Sequence, residues 1–531
     1  MMELRLSNNN VASSLMCIIT ISLLWKAIIW VWLKPKKLER CLKKQGFRGK
    51  SYRILFGDTK EIAKMVRQTT SKPMEHFSND FVPRIFPFHH QIIKNYGDRS
   101  FLWNGPTPTV MITKPEEIRE IMLKIYDFPK ISTPLLKRLT NGLVRLEGHK
   151  WAQERKLLNP AFHMEKIKLM LPAFHASCNE MIQEWEKTTP ETGSQEVEMW
   201  SFLHNLSADV ISRAAFGSSF EEGRRVFELL REHTSITVQA MQSVYIPGSR
   251  FLPTKRNKRE AKIVNEMESL LKDMIQKRQK AMENGEAAKD DLLGLLLKSN
   301  LEGVQDHQLL HGNYKQQQFK MSMKEVIEEC KMFYVAGQDT TSSLLVWTLV
   351  LLSKHTNWQE QAREEIFAMF GHNTPHVDGL IQLKKVNMIL HEVLRLYSPV
   401  FSLNRKVSHE MRVGDMVLPA GVHVNLPTIF IHHSEKLWGT DAKEFNPERF
   451  SQGILKATKE NNMCFFAFGW GPRICIGSNF AMMEAKMALA MILQRFSFEL
   501  SPSYVHAPTI GFGTLRPQFG AKLILHRMYK L

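Results

Sequence analysis

Cysteine is scarce in this chain, and its few copies lie far apart. The six cysteines among 531 residues stand at positions 17, 41, 178, 330, 464 and 475, so no Cys-x-x-Cys pair occurs. That spacing offers no zinc site, and such sparse usage is typical of a reducing compartment. Low-complexity tracts, internal repeats and long linkers rich in Ser, Gly or Pro are absent as well. These absences exclude a string of small modules and favour one large folded unit.

Signatures of nucleic-acid binding are also missing, although the formal net charge is +18. No zinc finger, helix-turn-helix or RNA-binding motif accompanies that charge. The charge is concentrated near the N-terminus. The segment from Lys34 to Lys50 contains eight Lys or Arg residues and one acidic residue, Glu39, and so contributes +7 of the +18. This cluster directly follows an apolar run, an arrangement that favours an anionic membrane surface over nucleic acid.

The apolar run extends from Val11 to Leu33 and is interrupted only by small polar residues and Lys26. As a helix it would cover about 35 Å at about 1.5 Å per residue, enough to cross a bilayer core. A cleaved signal peptide is the alternative, but such a peptide carries its positive charge before the apolar run and a small-residue cleavage site after it. Here the charge follows the run. We therefore expect a retained anchor, with the N-terminus in the lumen and everything after Lys34 in the cytosol.

Helical periodicity dominates the rest of the chain. Apolar residues recur at helical spacing in Lys166–Lys187, Arg259–Glu283, Met321–His355, Trp358–Phe370 and Asn479–Phe496. Short strand-like runs occur at Thr109–Thr113, Met411–Leu418 and Lys522–His526, and the polar stretch Glu302–Gln318 indicates a surface loop. The pattern predicts a mainly α fold with small β-sheets (α+β). We divide the chain into the lumenal N-terminus and transmembrane anchor (1–33), a basic juxtamembrane linker (34–54) and one large domain (55–531).

One cysteine lies in a glycine-rich loop near the C-terminus, Phe468-Gly-Trp-Gly-Pro-Arg-Ile-Cys-Ile-Gly477. Glycines allow tight turns that aim backbone N–H groups at a sulfur, and a helix beginning after the loop would bring its positive end near a thiolate. Arg473, two residues before Cys475, offers a fork of donors to a carboxylate. The alternative is that Cys475 is a buried structural cysteine. Cys464, the nearest other cysteine, has no comparable glycine and arginine residues around it. The loop suits a thiolate that stays bound to a metal.

The spacing Phe-x-x-Gly-x-Arg-x-Cys-x-Gly resembles the haem-binding loop of the cytochrome P450 family at every defined position. The resemblance implies that Cys475 is the axial thiolate ligand to the iron of a non-covalently bound haem b. It also implies that Phe468 is a haem-contacting residue of the loop and that Arg473 pairs with a haem propionate. The string Trp151-Ala-Gln-Glu-Arg155 is similar to the family's Trp-x-x-x-Arg, whose two side chains hold a propionate.

A second motif, Ala336-Gly-Gln-Asp-Thr-Thr341, lies in the middle of the longest helical pattern. Glycine costs a helix about 1 kcal/mol there, and a threonine hydroxyl can bond back to a carbonyl and open the turn. Gly337 would let a flat cofactor approach the backbone closely. The string resembles the family's Ala/Gly-Gly-x-Asp/Glu-Thr-Thr motif without a departure. That resemblance implies that Thr340 and Asp339 deliver protons while dioxygen is activated.

Two further strings match motifs of the same family. Glu392-Val-Leu-Arg395 places an acid and a base on one helix face, and mostly apolar neighbours suggest that they are buried. With Phe445-Asn-Pro-Glu-Arg449-Phe some fifty residues later, the resemblance implies a buried structural network of Glu392, Arg395 and Arg449 behind the haem. Arg405, which follows the Glu-x-x-Arg helix, is expected to be a further propionate partner.

Longer strings resemble one plant clan of the family, which includes secologanin synthase, triterpenoid oxidases and hydroxylases that inactivate brassinosteroid or gibberellin hormones. They are Phe251–Asn257, Leu437–Gly439 and Ser501–Pro508. One departure is Ala467, where many relatives have a proline that stiffens the turn without ligating anything. The resemblance covers essentially the whole chain and implies the cytochrome P450 fold preceded by one transmembrane helix, with 55–531 as the haem-thiolate catalytic domain.

The resemblance implies a monooxygenase of the endoplasmic reticulum membrane, single-pass, with its catalytic domain on the cytosolic side. It would take electrons from NADPH through NADPH-cytochrome P450 reductase and insert one atom of O2 into a small apolar, isoprenoid substrate. Membrane lipid is an expected partner and nucleic acid is not. Two alternatives are a haem-thiolate isomerase or dehydratase without O2 activation and a non-catalytic membrane haem protein. The intact Asp339-Thr340 pair argues against the first, and the full set of motifs argues against the second.

Overall fold

The computed structural model describes residues 2–132, 137, 139, 141–190, 193–217, 220–241, 249–284, 291–302, 304–310, 313–458, 463–511 and 513–528. At the N-terminus, α1 (Met2–Ile28), a π-helical turn (Ile29–Leu33) and α2 (Lys34–Lys44) follow one another without a break. Within the described part of the chain, Ser13–Lys44 is the one helical stretch long and apolar enough to cross a membrane, with a mean hydropathy of 2.0. The first part of the predicted linker is therefore helical.

The second half of this N-terminal helix is attached to the large domain. Leu38 and Leu42 of α2 are buried in the main hydrophobic core. The Tyr52 hydroxyl donates to the Val31 carbonyl oxygen at 2.7 Å, which ties the end of the apolar stretch to the chain that follows. The orientation of the domain relative to the apolar helix is thus held by packing as well as by the covalent chain.

Helices form most of the large domain. They are α3 (Thr59–Thr70), α4 (Val82–Ile85), α5 (Pro87–Tyr96), α6 (Pro115–Leu123), α7 (Gly148–Leu158), α8 (Met164–Thr188), α9 (Met199–Phe216), α10 (Phe220–Met241), α11 (Lys255–Glu283), α12 (Leu292–Glu302), α13 (Met323–Lys354), α14 (Thr356–Phe370), α15 (Val377–Gln382), α16 (Lys384–Leu396), α17 (Thr428–His432), α18 (Glu435–Trp438) and α19 (Ser478–Arg495).

The strands are short and lie at the edges of this helical body. They are β1 (Phe101–Asn104), β2 (Thr107–Met111), β3 (Ser194–Glu198), β4 (Val304–Leu310), β5 (Asn313–Phe319), β6 (Leu403–Lys406), β7 (Met411–Val413), β8 (Met416–Leu418), β9 (His423–Leu426), β10 (Phe496–Leu500), β11 (Pro508–Gly511), β12 (Thr514–Pro517) and β13 (Lys522–Arg527). The described sheets run in the order β1-β2-β9-β6 and β10-β13-β3, and three further pairs are β4-β5, β7-β8 and β11-β12. Only β2 and β9 among these described pairs are parallel.

The long helix α13 runs through the core and positions the second motif. It begins with a capping box in which Ser322 and Glu325 satisfy each other's backbone N–H groups. From Leu344 to Leu352 every residue is buried, because α9, α16, α19 and β12 all pack against this helix. Such an apolar surround fixes a helix strongly, since each buried large side chain contributes roughly 1.5–3 kcal/mol. The polar residues 336–341 therefore lie in a helix whose position is fixed by apolar packing.

The mainly α architecture with small sheets is confirmed, and the five predicted helices agree with α8, α11, α13, α14 and α19 to within four residues at each end. Two predictions were wrong. The run Met411–Leu418 is a hairpin of two strands, because Gly414 turns the chain with a φ of +54°. The stretch Glu302–Gln318 was predicted as a loop, but most of it forms the paired strands β4 and β5, since antiparallel pairing satisfies backbone groups even where side chains are polar.

Candidate active site

The glycine-rich loop turns tightly around Cys475 just before α19. Gly469 and Gly471 have φ values of +78° and +69°, in the left-handed region that other residues rarely adopt. Gly471 also lies against α6, where an added Cβ would come within 3.1 Å of the Met122 carbonyl oxygen. The Cys475 N–H donates to the Phe468 carbonyl oxygen at 2.8 Å, which closes the loop. The glycines are needed for this shape, and Phe468 supplies its backbone acceptor.

The side chain of Cys475 is not covered by the loop that surrounds it. The side chain is accessible, yet the surrounding protein is dense enough for burial to raise the pKa of the thiol. The Gly477 N–H, which hydrogen-bonds the sulfur, and the charges of Arg155 and Lys130 act in the opposite direction and lower this pKa. Such donors stabilise a sulfur that carries negative charge, and a bound metal cation would stabilise it further.

Arg473, two residues before Cys475, is held by protein groups on three sides. Its Nη1 donates to the Leu146 carbonyl oxygen at 2.8 Å, and its Nη2 forms an ion pair with Glu147. The guanidinium carbon lies 4.4 Å from the centre of the Trp151 ring, a cation–π contact. Glu147 is the carboxylate that lies beside Arg473 in the described part of the chain, and pairing of Arg473 with a haem propionate stays a prediction. Arg473 thus fastens the start of α7 to the cysteine loop.

Trp151 and Arg155 lie one turn apart on α7, as their spacing requires. Trp151 is buried, and the Arg155 Nη1 donates to the Ile474 carbonyl oxygen at 2.9 Å. Ile474 directly precedes Cys475, so α7 contacts the cysteine loop through both of these side chains. The structure therefore brings together four residues that the sequence predicted to bind the cofactor: Trp151, Arg155, Arg473 and Cys475.

Further cations lie beside these residues. Lys130 and Arg405 form an isolated antiparallel bridge through their backbones, and the Lys130 Nζ donates to the Val144 carbonyl oxygen at 2.6 Å. Burial, and then the charges of Arg405 and Arg473, lower the pKa of Lys130 to about 7. Burial and the Arg473 charge lower the pKa of Arg405 to about 10. The Nε atom of Arg145 is buried without a hydrogen-bond acceptor.

We call Lys130, Arg145, Arg155, Arg405 and Arg473 the cationic cluster. Like charges at close range raise one another's energy, and a buried donor without an acceptor adds to that cost. Dianionic ligands relieve both effects, so the cluster fits the two propionates of a haem whose iron binds Cys475. Sequence analysis missed Lys130 and Arg145 because neither lies in a motif. Only the fold brings the segments that carry them beside α7 and the loop.

The polar notch of α13 is formed by Thr340. Its hydroxyl donates to the Ala336 carbonyl oxygen at 2.6 Å, one turn earlier, as the sequence predicted for a threonine at this place. At Gly337, α13 passes close to α9. A Cβ added to Gly337 would lie 3.0 Å from two side-chain carbons of Ile211 on α9. The described contact of Gly337 is thus a close approach of two helices, and admission of a flat cofactor at this position stays a prediction.

Asp339 is held by a neighbour that the sequence did not indicate. Its Oδ1 lies 3.0 Å from the Nε2 of His204 on α9. The other ring nitrogen of His204 lies 3.1 Å from the Gln338 amide nitrogen, which can only donate. His204 therefore accepts at Nδ1 and donates from Nε2 to the Asp339 carboxylate. These groups line a cavity of about 350 Å³ together with Arg231 and Arg516.

Glu392, Arg395 and Arg449 come together in a buried network. Glu392 and Arg395 are both 0% exposed, and two donor nitrogens of Arg395 each lie 2.7 Å from an oxygen of Glu392. The Arg449 Nε lies 3.4 Å from the same carboxylate. Arg395 also donates to the carbonyl oxygens of His432 and Ala442 at 2.7 and 2.6 Å. The network joins α16 to the segment before the cysteine loop.

Comparison with known proteins agrees with this geometry. A family profile described as Cytochrome P450 matches residues 80–525. The chain is 55% identical to Cytochrome P450 72A397 of Kalopanax septemlobus, over 95% of both chains. It is 50% identical to echinocystic acid 23-monooxygenase of Saponaria officinalis, over 97% of this chain and 99% of that one. It is also 50% identical to 7-deoxyloganic acid hydroxylase of Catharanthus roseus, over 96% and 98%. The chain therefore belongs to the cytochrome P450 family, in the plant clan of these relatives, and is a haem-thiolate monooxygenase.

Proposed function

We propose that this monooxygenase inserts one oxygen atom of O2 into a C–H bond of a terpenoid, with Cys475 as the thiolate ligand of haem b. The observation that carries the proposal is the placement of Cys475 beside the Gly477 N–H group and the cationic cluster. A thiolate donor and an excess of cations at one cleft are what an iron porphyrin with two carboxylates requires. When bound, the haem would supply the chemistry that splits O2.

The residues around Cys475 would hold the haem. Arg155 and Arg405, together with the unpredicted Lys130 and Arg145, would neutralise the propionates. Arg473 would act mainly through Glu147 and Trp151, since its donors are already engaged by protein groups. Phe468 would help to shape the loop around the ligand sulfur, because its carbonyl oxygen accepts the Cys475 N–H.

Thr340 and Asp339 would supply protons to the reacting oxygen. The Thr340 hydroxyl donates to a carbonyl of its own helix, so its oxygen lone pairs stay free to accept a proton donor in the cleft. Asp339 lies next to it in the chain and lines the 350 Å³ polar cavity. A carboxylate that lines a cavity can pass protons to a group within hydrogen-bond distance. This arrangement supports proton delivery for monooxygenation.

The substrate class is inferred from the relatives. Two proteins that are 50% identical to this chain are named for the oxidation of echinocystic acid and 7-deoxyloganic acid. We extend that class to this chain as a small, mostly apolar terpenoid. Single methylene differences in a pocket change binding by only about 1–3 kcal/mol, so relatives at this identity can differ in the individual terpenoid that they oxidise.

The cellular setting follows from the N-terminal helix and its charge. The stretch Ser13–Lys44 is long and apolar enough to cross a bilayer, and the Lys/Arg cluster between Lys34 and Lys50 would lie on the cytosolic side. We propose a single-pass anchor in the endoplasmic reticulum membrane, contact with lipid, and electrons from NADPH through NADPH-cytochrome P450 reductase. The division into anchor (1–33), juxtamembrane segment (34–54) and catalytic domain (55–531) belongs to the same proposal.

An optical titration combined with isotope labelling tests the function. The purified ferric protein is titrated with a panel of terpenoids, and those that perturb the haem spectrum are incubated with reductase, NADPH and ¹⁸O-labelled O2. We expect a product that carries one labelled oxygen atom. A product with oxygen from water, or turnover that proceeds without NADPH, would contradict the monooxygenase mechanism. A haem spectrum that responds only to ligands outside the terpenoids would contradict the substrate class.

A further inference from the structure

Two buried carboxyl groups meet between α7 and α13. Glu154 is 1% exposed and lies on α7, between Trp151 and Arg155. Glu329 is 0% exposed and lies on α13, in the turns before Asp339. Each carboxyl group shifts the pKa of the other, which places the two side chains beside each other. Glu154 occupies an unspecified position of the Trp-x-x-x-Arg string, and the proposed function gives neither carboxyl group a role.

The hydrogen bonds around this pair leave two oxygen atoms without a donor. The Glu329 Oε1 accepts the Leu143 N–H at 2.5 Å, but its Oε2 and the Glu154 Oε1 are buried and unpartnered. The Lys150 ammonium forms a long ion pair with Glu154, 3.8 Å from its Oε1, a separation beyond hydrogen-bond distance. Two facing carboxylates in such a site repel each other and lack donors, whereas one proton between them satisfies both.

The surrounding charges do not supply the missing proton donors. Lys150 on α7 forms its short ion pair with Glu325. Lys331 on α13 is paired with Glu328, 2.9 Å away. Glu325 and Glu328 add negative charge near the pair, and the segment before α7 contributes the neutral Leu143 N–H. Lys150, Glu325 and Glu328 act on the pKa values of the pair, whereas Lys331 pairs with Glu328 and Glu268.

The direction of the resulting shift is upward for both acids. Burial raises the pKa of Glu154 to about 7, and burial with the Glu154 charge raises the pKa of Glu329 well above its ordinary value. A carboxyl group whose pKa is higher in the folded state stabilises the fold below its ordinary pKa, and this contribution is lost as pH rises through the folded value. The pair therefore still holds a proton at neutral pH, and its contribution to stability declines as pH rises through the folded pKa values.

We propose that Glu154 and Glu329 share one proton and act as a clasp that positions α7 against α13, and that this clasp opens above neutral pH. Its effect on the cofactor rests on the proposed haem site, because α7 carries Trp151 and Arg155. The Arg155 guanidinium donates to the Ile474 carbonyl oxygen beside Cys475. Movement of α7 away from α13 would thus reach the cysteine loop directly. Glu154 and Glu329 are positioning residues, since they act on the cofactor through α7.

The test compares full-length, haem-loaded wild-type protein in detergent with Glu154→Gln. The Gln amide donates to Glu329 at every pH, so it keeps the hydrogen bond and removes the titration. Two readouts are taken from about pH 6 to about pH 9: the thermal unfolding midpoint and the rate of haem transfer to excess apomyoglobin. We expect the wild-type midpoint to fall and its haem transfer to accelerate by about fivefold across this range. In Glu154→Gln both should change much less.

Glu228→Gln is the matched control, since Glu228 is an exposed carboxylate paired with Arg225 on the surface. It should keep the wild-type pH dependence in both readouts. The clasp is refuted when Glu154→Gln retains the full wild-type dependence. If Glu154→Gln does not fold, hydrogen exchange of the wild-type protein decides: after correction for intrinsic rates, α7 must lose protection with rising pH more steeply than α19, and equal losses refute the proposal. A chain that binds no haem overturns the proposed function, while its thermal midpoints still decide the clasp.

Discussion

Replacement of Glu392 by glutamine should destabilise the protein strongly, because it removes the anion from the buried network. Glu392 is 0% exposed and accepts two bonds of 2.7 Å from Arg395, one of 2.9 Å from the Asn446 N–H and one of 3.4 Å from Arg449. Glutamine has one acceptor oxygen instead of two, and its NH2 group would point at a guanidinium donor. The Arg395 charge would then be buried without a counterion.

The expected loss is about 3–5 kcal/mol, the usual cost of a buried charge whose partner has been removed. It should lie toward the lower end, since Arg395 keeps its bonds to the carbonyl oxygens of His432 and Ala442. Arg449 also retains Asp441, with which it forms a second ion pair. Against a total stability of about 5–15 kcal/mol, the loss is large enough to lower the yield of folded protein severalfold.

Denaturant unfolding of the haem-loaded protein measures this change, with the haem-bound fraction as a second readout. Glu228→Gln again provides the control, because that carboxylate is 53% exposed and its loss should change the unfolding free energy by less than about 0.5 kcal/mol. A loss below about 1 kcal/mol for Glu392→Gln would refute the reasoning, since it would mean that the network is solvated or that its charges are compensated elsewhere.

The remaining predictions concern the cleft and α13. Thr340→Ala should keep the haem spectrum but consume O2 and NADPH without equivalent product, and measured coupling that stays at the wild-type value would contradict its role in proton delivery. Gly337→Ala should retain full haem content with an unfolding free energy changed by about 1 kcal/mol or less, because helix propensity offsets the contact with Ile211; haem loss in this variant would support the cofactor role predicted from sequence. Lys130→Ala should speed haem transfer to apomyoglobin, and an unchanged rate would exclude Lys130 from the propionate site.

Sequence predicted the parts of this site that depend on local spacing. The turn around Cys475, the one-turn separation of Trp151 and Arg155 and the back-bonded Thr340 hydroxyl all follow from residues within a few positions of one another. The long helix α13 was equally clear, because an apolar pattern over many turns allows few alternatives.

The contacts that sequence missed join segments far apart in the chain. His204 meets Asp339 only because α9 packs along α13, and Glu154 lies beside Glu329 only because the fold brings two distant segments together. Neither pair has a spacing that could mark it in one sequence. The role of Gly337 is also hard to read from sequence. A glycine in a helix can make room for a cofactor or for a neighbouring helix, and the sequence does not tell which of the two lies beside it.

The central claim, a haem held by the thiolate of Cys475, is tested most directly by the spectrum of the reduced carbon monoxide complex. The wild-type protein should show the thiolate type of spectrum, because the ligand sulfur donates its charge to the iron. Cys475→Ala should lose that spectrum, whether or not it still takes up haem through the cationic cluster. A Cys475→Ala protein that keeps the thiolate spectrum, or a wild-type protein that never shows it, would contradict the account.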